Sequence, residues 1–185
     1  MPAQIRLPGP RFGVPGGLLA ALLSLSGCGL LDTTQKFPPI CPSLSLLDDA
    51  SDVTRFRGDG RDITDIVYDG RITAVPAQCT RVSPTIIKTT LQVKASLTRG
   101  AAATGRTASI GYLVTVTEDA KILDQQDYTL AAAFAPNVDR VDLTGQEITL
   151  LFPVSAQKTA AAYKVFISFR LTPDELAANR KRGPR

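Results

Sequence analysis

Three cysteines carry the most distinctive chemistry in this chain, because a thiol can accept a lipid, pair with a second thiol or bind a metal. They are Cys28, Cys41 and Cys79 in a sequence of 185 residues. The chain contains no His and no Trp. Since His is the usual general base and the commonest metal ligand, His-dependent catalytic triads and HExxH zinc sites are excluded.

The segment before the first cysteine has the pattern of a secretory signal peptide. Arg6 and Arg11 precede an uncharged run from Phe12 to Leu31, as the basic and apolar regions of such a peptide require. An uncleaved transmembrane helix is the alternative. However, Pro and Gly interrupt both ends of the run and leave a dense apolar core of about eight to ten residues, whereas a membrane span needs about 20. Residues 1–27 are therefore predicted to be a signal peptide.

Leu25-Ser26-Gly27-Cys28 closes this segment and resembles the lipobox of bacterial lipoproteins, in which a Leu, two small residues and a Cys end the signal sequence. The resemblance implies diacylglycerol transfer to the Cys28 sulfur, cleavage before Cys28 and acylation of the new N-terminus. Two or more acyl chains attach a protein durably to a membrane. In that family an Asp after the Cys favours the inner membrane, but Gly29 stands there, which favours the outer membrane. A cysteine that ends an apolar run by chance is the alternative.

The other two cysteines are expected to pair with each other. If Cys28 carries lipid, Cys41 and Cys79 remain, and export places them in an oxidising compartment where such a pair normally forms a disulfide. Two buried free thiols are the alternative. The spacing fits neither a redox CxxC motif nor a zinc site.

Four aspartates suggest calcium binding, because Ca²⁺ prefers several carboxylate oxygens on a turn. They are Asp59, Asp62, Asp65 and Asp69. Their spacing does not match an EF-hand loop, and three arginines in the same segment neutralise their charge. We therefore predict a salt-bridged loop that leads into a strand, with no metal. The same loop contains Arg57-Gly58-Asp59, a tripeptide that integrins recognise, which is expected to be a chance match.

No pattern of residues predicts catalysis or a cofactor. Ser and Thr are plentiful, but no motif places a base beside one of them. An enzyme is therefore the third hypothesis for this chain, after a binding module and an assembly accessory.

The charge balance argues against a nucleic-acid partner. Of the 21 Lys and Arg residues, two lie in the signal segment and four in the tail, which leaves 15 against 17 Asp and Glu. A nucleic-acid-binding domain would need a basic stripe or interleaved aromatics. The tail, RKRGPR, could meet phosphates of a lipid or envelope glycan, with a solvated terminus as the alternative.

The elements that position these residues are predicted to be β-strands. Between Cys41 and Leu171 the apolar residues recur with a period of two, and turn residues separate the runs. The clearest strand covers 162–171, with one apolar face made of Tyr163, Val165, Ile167, Phe169 and Leu171. Seven to nine such strands are typical of an all-β, antiparallel β-sandwich of immunoglobulin-like or fibronectin-like architecture. A closed barrel is the alternative.

Two connections and two edges are predicted within this sandwich. Asp69-Gly70 is a strong hairpin signal between runs at 63–68 and 71–82. The Gly- and Ala-rich stretch from Thr98 to Thr107 is predicted to be a hairpin loop between the two longest strands. Short runs at 44–47 and 53–56 are expected at an edge.

The chain is predicted to end in a short helix. Thr172 and Glu175 have the spacing of a capping box, and Pro173 suits the first helical position. The predicted organisation is a signal peptide over 1–27, a tether over 28–43, a sandwich over 44–171, and the helix with its basic tail over 172–185.

Three apolar residues at outward strand positions suggest a partner surface. Leu113, Leu151 and Phe166 would form an apolar patch if their strands are neighbours, and patches of that kind mark interaction sites. Isolated positions, or cover by the terminal helix through Leu176, are the alternatives.

Beyond the lipobox, three segments resemble an uncharacterised family of Gram-negative envelope lipoproteins. They are Cys41-Pro42 at the start of the domain, VTRFRGDGRDITDIVYDGRI over 53–72, and LTPDELAANR over 171–180. The resemblance implies no activity. The first functional hypothesis is a lipid-anchored binding or scaffold module on the periplasmic face of the outer membrane, which engages another envelope protein or polymer. The second is an assembly accessory of an outer-membrane or export complex that acts through edge strands.

Overall fold

The structure is a computed structural model and describes residues 38–183. Its strands are β1 (Ser43–Leu46), β2 (Asp52–Phe56), β3 (Ile66–Ala74), β4 (Ala77–Ser83), β5 (Ile86–Arg99), β6 (Thr107–Glu118), β7 (Lys121–Ala133), β8 (Arg140–Pro153) and β9 (Tyr163–Phe169). One α-helix follows them, α1 (Pro173–Arg182), and short 3-10 helices occupy Asp48–Ala50, Ile63–Asp65 and Ala160–Ala162. The signal segment, Cys28 and most of the predicted tether lie outside the described residues.

The strands form two sheets that face each other, as the period-two pattern predicts. The first sheet has the order β1-β9-β6-β7, and the second places β2, β3, β5 and β8 side by side. β3 and β4 pair with successive parts of the same side of β5, while β8 pairs along its other side. All pairs are antiparallel except β1 with β9. The predicted β-sandwich with a short C-terminal helix is confirmed.

The core lies between the sheets and follows the predicted alternation. Ile167 of β9 and its register partner Val114 of β6 are 0% and 2% exposed. The outward residue Ser168 is also buried, at 5% exposure, although alternation alone predicts an exposed position. Its side chain is small and its strand lies inside the sheet, so neighbouring residues exclude water from it.

The predicted hairpin at Asp69-Gly70 is wrong, because both residues lie inside β3. β3 is paired on both sides, with β2 and with β5. A Cβ at Gly70 would lie 3.0 Å from Leu97 Cδ1 and 3.1 Å from Val53 Cγ1. A side chain here would push against these two core residues, so Gly70 favours their close packing and does not form a turn.

The predicted hairpin loop at 98–107 is also wrong, because β5 and β6 belong to different sheets. The segment crosses from the second sheet to the first. The Gly100 and Ala102 amides donate to the carbonyl oxygens of Val67 and Ile66, at 2.9 Å in both cases. Small residues suit this segment since it lies against the start of β3. The predicted edges are found at β1 and β2, one in each sheet.

A disulfide joins Cys41, just before β1, to Cys79 in β4, with 6.1 Å between the Cα atoms. The predicted pairing of these two cysteines is confirmed. The bond ties the start of the domain to the second sheet, although β1 itself belongs to the first. Among residues 38–183, no helix is long and apolar enough to cross a membrane.

Candidate binding cleft

Helix α1 begins at the capping box that the sequence predicts. The Thr172 hydroxyl accepts from the Glu175 amide at 3.2 Å, and the Glu175 carboxylate accepts from the Thr172 amide at 2.8 Å. Pro173 occupies the first helical turn. These contacts satisfy two backbone donors that a helix start would otherwise leave unpaired.

A buried amide attaches α1 to the sandwich. Asn179 is 6% exposed, and its Nδ2 donates to the carbonyl oxygens of Asp49 at 2.9 Å and Asp52 at 2.8 Å. Its Oδ1 accepts from Arg182 Nη2 at 2.9 Å. The helix is thus fixed against β2 and the 3-10 turn before it by polar contacts instead of an apolar face.

Ion pairs surround this attachment. Arg71 Nε lies 2.7 Å from the buried Asp52 carboxylate. Arg55 Nε of β2 lies 2.9 Å from Glu175 Oε1 of the helix, a pair that is partly buried. The two contacts leave each carboxylate with a guanidinium partner, as charges removed from water require.

The Arg55 guanidinium also lies 5.3 Å from the centre of the Tyr68 ring. Burial raises the pKa of Tyr68, while the charge of Arg55 acts in the opposite direction. The phenol therefore stays neutral at physiological pH and offers a ring face to the cation.

Between α1, β2 and the loop after β2 lies a cleft of about 650 Å³. Its lining residues are Thr54, Arg55, Phe56, Gly58, Arg61, Thr172, Asp174, Glu175, Ala178, Asn179, Lys181 and Arg182. Four cations face two carboxylates in this lining. The arrangement favours an anionic ligand on electrostatic grounds.

The loop side of the cleft is held in place by Arg61. Its Nη1 donates to the carbonyl oxygens of Gly60 at 2.6 Å and Gly58 at 3.3 Å, and its guanidinium lies 5.3 Å from the Phe56 ring centre. Gly58 has a φ of +58°, a conformation that favours glycine. The loop conformation therefore positions a guanidinium over an aromatic side chain within the lining of the cleft.

The four aspartates of the calcium hypothesis do not converge. Asp62 and Asp65 cap the 3-10 helix at Ile63–Asp65, and Asp69 accepts from the Thr54 hydroxyl at 2.6 Å within the paired strands. Asp59 lies in the loop beyond Gly58, in the Arg57-Gly58-Asp59 tripeptide. Within residues 38–183, no group of three or more Asp, Glu, Cys or His side chains is placed to hold a metal ion.

The predicted partner patch is not assembled as a whole, because Leu151 lies on a different sheet from Leu113 and Phe166. Leu113 and Phe166 lie on the outer face of the first sheet, on the neighbouring strands β6 and β9. Leu151 lies on β8 of the second sheet and is 59% exposed. Helix α1 contacts β2 and the 3-10 turn at Asp48–Ala50. The sequence does not reveal which sheet a strand joins, so it could not separate these positions.

A second groove, of about 410 Å³, opens between β7 and β8 at the other side of the sandwich. Leu123 and Leu151 line it, and Ile122 beside it is 58% exposed. Both strands are edge strands among the described residues. Their outer backbone groups are a template for an added strand.

Sequence reasoning did not identify the α1–β2 cleft. The capping box at Thr172 predicts the helix, but no apolar periodicity shows which face it buries. The buried helix residue is Asn179, a type that usually lies at the surface. No known protein family, curated protein or solved structure shows significant similarity to this chain.

Replacing Asn179 by Ala is expected to destabilise the fold by about 1–3 kcal/mol, because two backbone carbonyls lose their buried donor. Chemical denaturation of residues 29–185 measures the loss. Lys181→Ala, an exposed change on the same helix, is the control and should cost less than about 0.5 kcal/mol. Equal losses in the two variants would contradict the anchoring role of Asn179.

Proposed function

We propose that this protein is a lipid-anchored lipoprotein of the bacterial envelope and acts as a binding module on the periplasmic face of the membrane. The observation that carries the binding role is the cationic cleft between α1 and β2. The anchor and its compartment are supported by the sequence Leu25-Ser26-Gly27-Cys28. The proposal assigns no covalent chemistry to the cleft.

The fixed geometry of the cleft supports a binding role. Arg55 is bonded to Glu175, Arg61 to loop carbonyls and Arg182 to Asn179. Side chains that are held before a ligand arrives lose less conformational entropy when they bind it. An arginine in a fixed position also keeps donors available, because its guanidinium carries five N–H groups.

A second role, as an assembly accessory, is favoured by the open side between β7 and β8. There the exposed Ile122 and Leu123 lie on an edge strand that has no neighbour on its outer side among the described residues. An extended segment of another protein could add to such an edge through main-chain hydrogen bonds.

The anchor is tested by replacing the cysteine of the lipobox. Cys28→Ala should abolish lipid attachment and cleavage before residue 28, because alanine has no sulfur to form the thioether. Intact-mass analysis of the membrane fraction is expected to show the parent chain without residues 1–27 and with added lipid. A lipid-modified Cys28→Ala protein would contradict the proposal.

Photo-crosslinking in cells tests which surface meets a partner. A photo-crosslinking amino acid is placed at Ala178, an exposed residue of the cleft lining, at Ile122 on the open edge, or at Lys164, which is exposed on the outer face of the first sheet. We expect a discrete adduct from Ala178 and only background from Lys164. An adduct from Ile122 with none from Ala178 would contradict the binding cleft and favour the accessory role.

A further inference from the structure

We infer that the ligand of the α1–β2 cleft carries a phosphate group, which several cations of the lining bind together. This inference rests on the proposed binding role of the cleft. It names the chemical class of the ligand, which phospholipid headgroups and soluble phosphate compounds share.

Positive charge exceeds negative charge in the lining of the cleft. Glu175 is paired with Arg55 and Asp52 with Arg71. Two further cations of the lining, Arg61 and Lys181, form no ion pair with any residue between 38 and 183. The lining carboxylate Asp174 offsets part of this charge, so the four cations and two carboxylates of the lining leave a net surplus of two positive charges.

Carboxylates in the same region already have guanidinium partners. Glu175 and Asp52 each have a close guanidinium partner within 2.9 Å, and the exposed Asp49 has Arg180 at 3.0 Å. One fork of N–H donors satisfies a carboxylate. A phosphate has more acceptor oxygens and carries up to two negative charges. It therefore matches cations that come from several elements at once.

The cations reach the cleft from separate elements of the fold. Arg61 comes from the loop after β2, whereas Lys181 comes from the last turn of α1. Phe56 and Ala178 contribute apolar surface to the same lining. The cleft therefore also suits a larger molecule that carries a phosphate and whose neutral part contacts Phe56.

The test measures stabilisation of the full chain by phosphate. The protein is held in neutral detergent micelles, and its thermal unfolding midpoint is followed as inorganic phosphate is added, with acetate at equal ionic strength as the carboxylate control. A ligand that binds only the folded state raises the midpoint with its concentration. We expect phosphate to raise the midpoint and acetate to leave it almost unchanged.

Matched charge reversals locate the effect. Lys181 lines the cleft and is exposed on the helix, so the Lys181→Glu variant should fold normally. Lys121 lies at the start of β7, away from the cleft, and Lys121→Glu is the control. The apparent dissociation constant for phosphate should rise about tenfold in Lys181→Glu. It should not change in Lys121→Glu. Arg61→Gln should also weaken binding.

A second arm identifies the source of the phosphate. Phosphatidylglycerol is added to the neutral micelles, with uncharged diacylglycerol as its control. If the lipid stabilises the protein more than inorganic phosphate does, the ligand is a lipid headgroup. If inorganic phosphate stabilises it more, the ligand is a soluble phosphate compound. Either result supports the inference if Lys181→Glu suppresses the stabilisation.

Equal responses to phosphate and acetate, equal responses of the two reversed variants, or no response to either phosphate source would overturn the inference. A crosslink from Ala178 that persists in that case would leave the binding role intact and exclude only a phosphate ligand. Loss of both the crosslink and the phosphate response would refute the binding role as well.

Discussion

Replacing Cys41 and Cys79 together by Ser should lower the free energy of unfolding by about 4 kcal/mol. The two residues are separated by 38 positions, and a crosslink of that span removes conformational entropy from the unfolded chain in this amount. Because a typical domain is stable by only about 5–15 kcal/mol, the loss is a large part of the total. Urea denaturation of residues 29–185, without a reductant, measures it.

The parent chain in the presence of a reductant is the matched control for the double serine variant. Its stability should fall to that of the variant, whereas the variant itself should not respond to the reductant. Unchanged stability in the serine variant would show that the bond contributes little. Two thiols that alkylate in the folded, unreduced protein would contradict the bond itself.

Truncating Ile167 to Ala should cost about 2–5 kcal/mol. The side chain is fully buried in β9, between strands of the first sheet and opposite the second, so the change loses transfer free energy and leaves a cavity. Val114→Ala should cost a similar amount for the same reason. Chemical denaturation of each single variant gives the difference from the parent chain.

Lys164 provides the control, because it is exposed on the same strand three residues before Ile167. Lys164→Ala should change the stability by less than about 0.5 kcal/mol. Ser168, which also points outward, is buried and is not a neutral control. If Lys164→Ala and Ile167→Ala cost the same, the alternation that defines the inner face of β9 would be wrong.

The elements that the sequence predicts well are those with a local signal. The predicted strand over 162–171 has five alternating apolar residues. Four of them, from Tyr163 to Phe169, form the buried inner face of β9, and Leu171 lies beyond its end. The Thr172 capping box starts α1. The Cys41–Cys79 bond is predicted because few cysteines remain once Cys28 is assigned to lipid.

The errors occur where long-range packing overrides a local signal. Asp69-Gly70 is a hairpin dipeptide in isolation, but pairing with β2 and β5 keeps it extended. The cleft depends on Asn179, whose side chain donates to the carbonyl oxygens of Asp52 and Asp49. These residues lie 127 and 130 positions earlier in the chain. No local pattern encodes such a contact, because an Asn in a helix is equally compatible with a solvated face.

The pairing of β1 with β9 sets an order of events if the chain is exported N-terminus first, as its signal segment predicts. β1 begins at Ser43, but its only strand partner among the described residues ends at Phe169. The first sheet therefore cannot close until almost the whole chain has crossed the membrane, and contacts of such long range form slowly. Cys41 and Cys79 emerge much earlier, before β5, so oxidation can link them while the sandwich is still unassembled. In that order of export, the two strand pairs that contain β9 are the last of the first sheet to form.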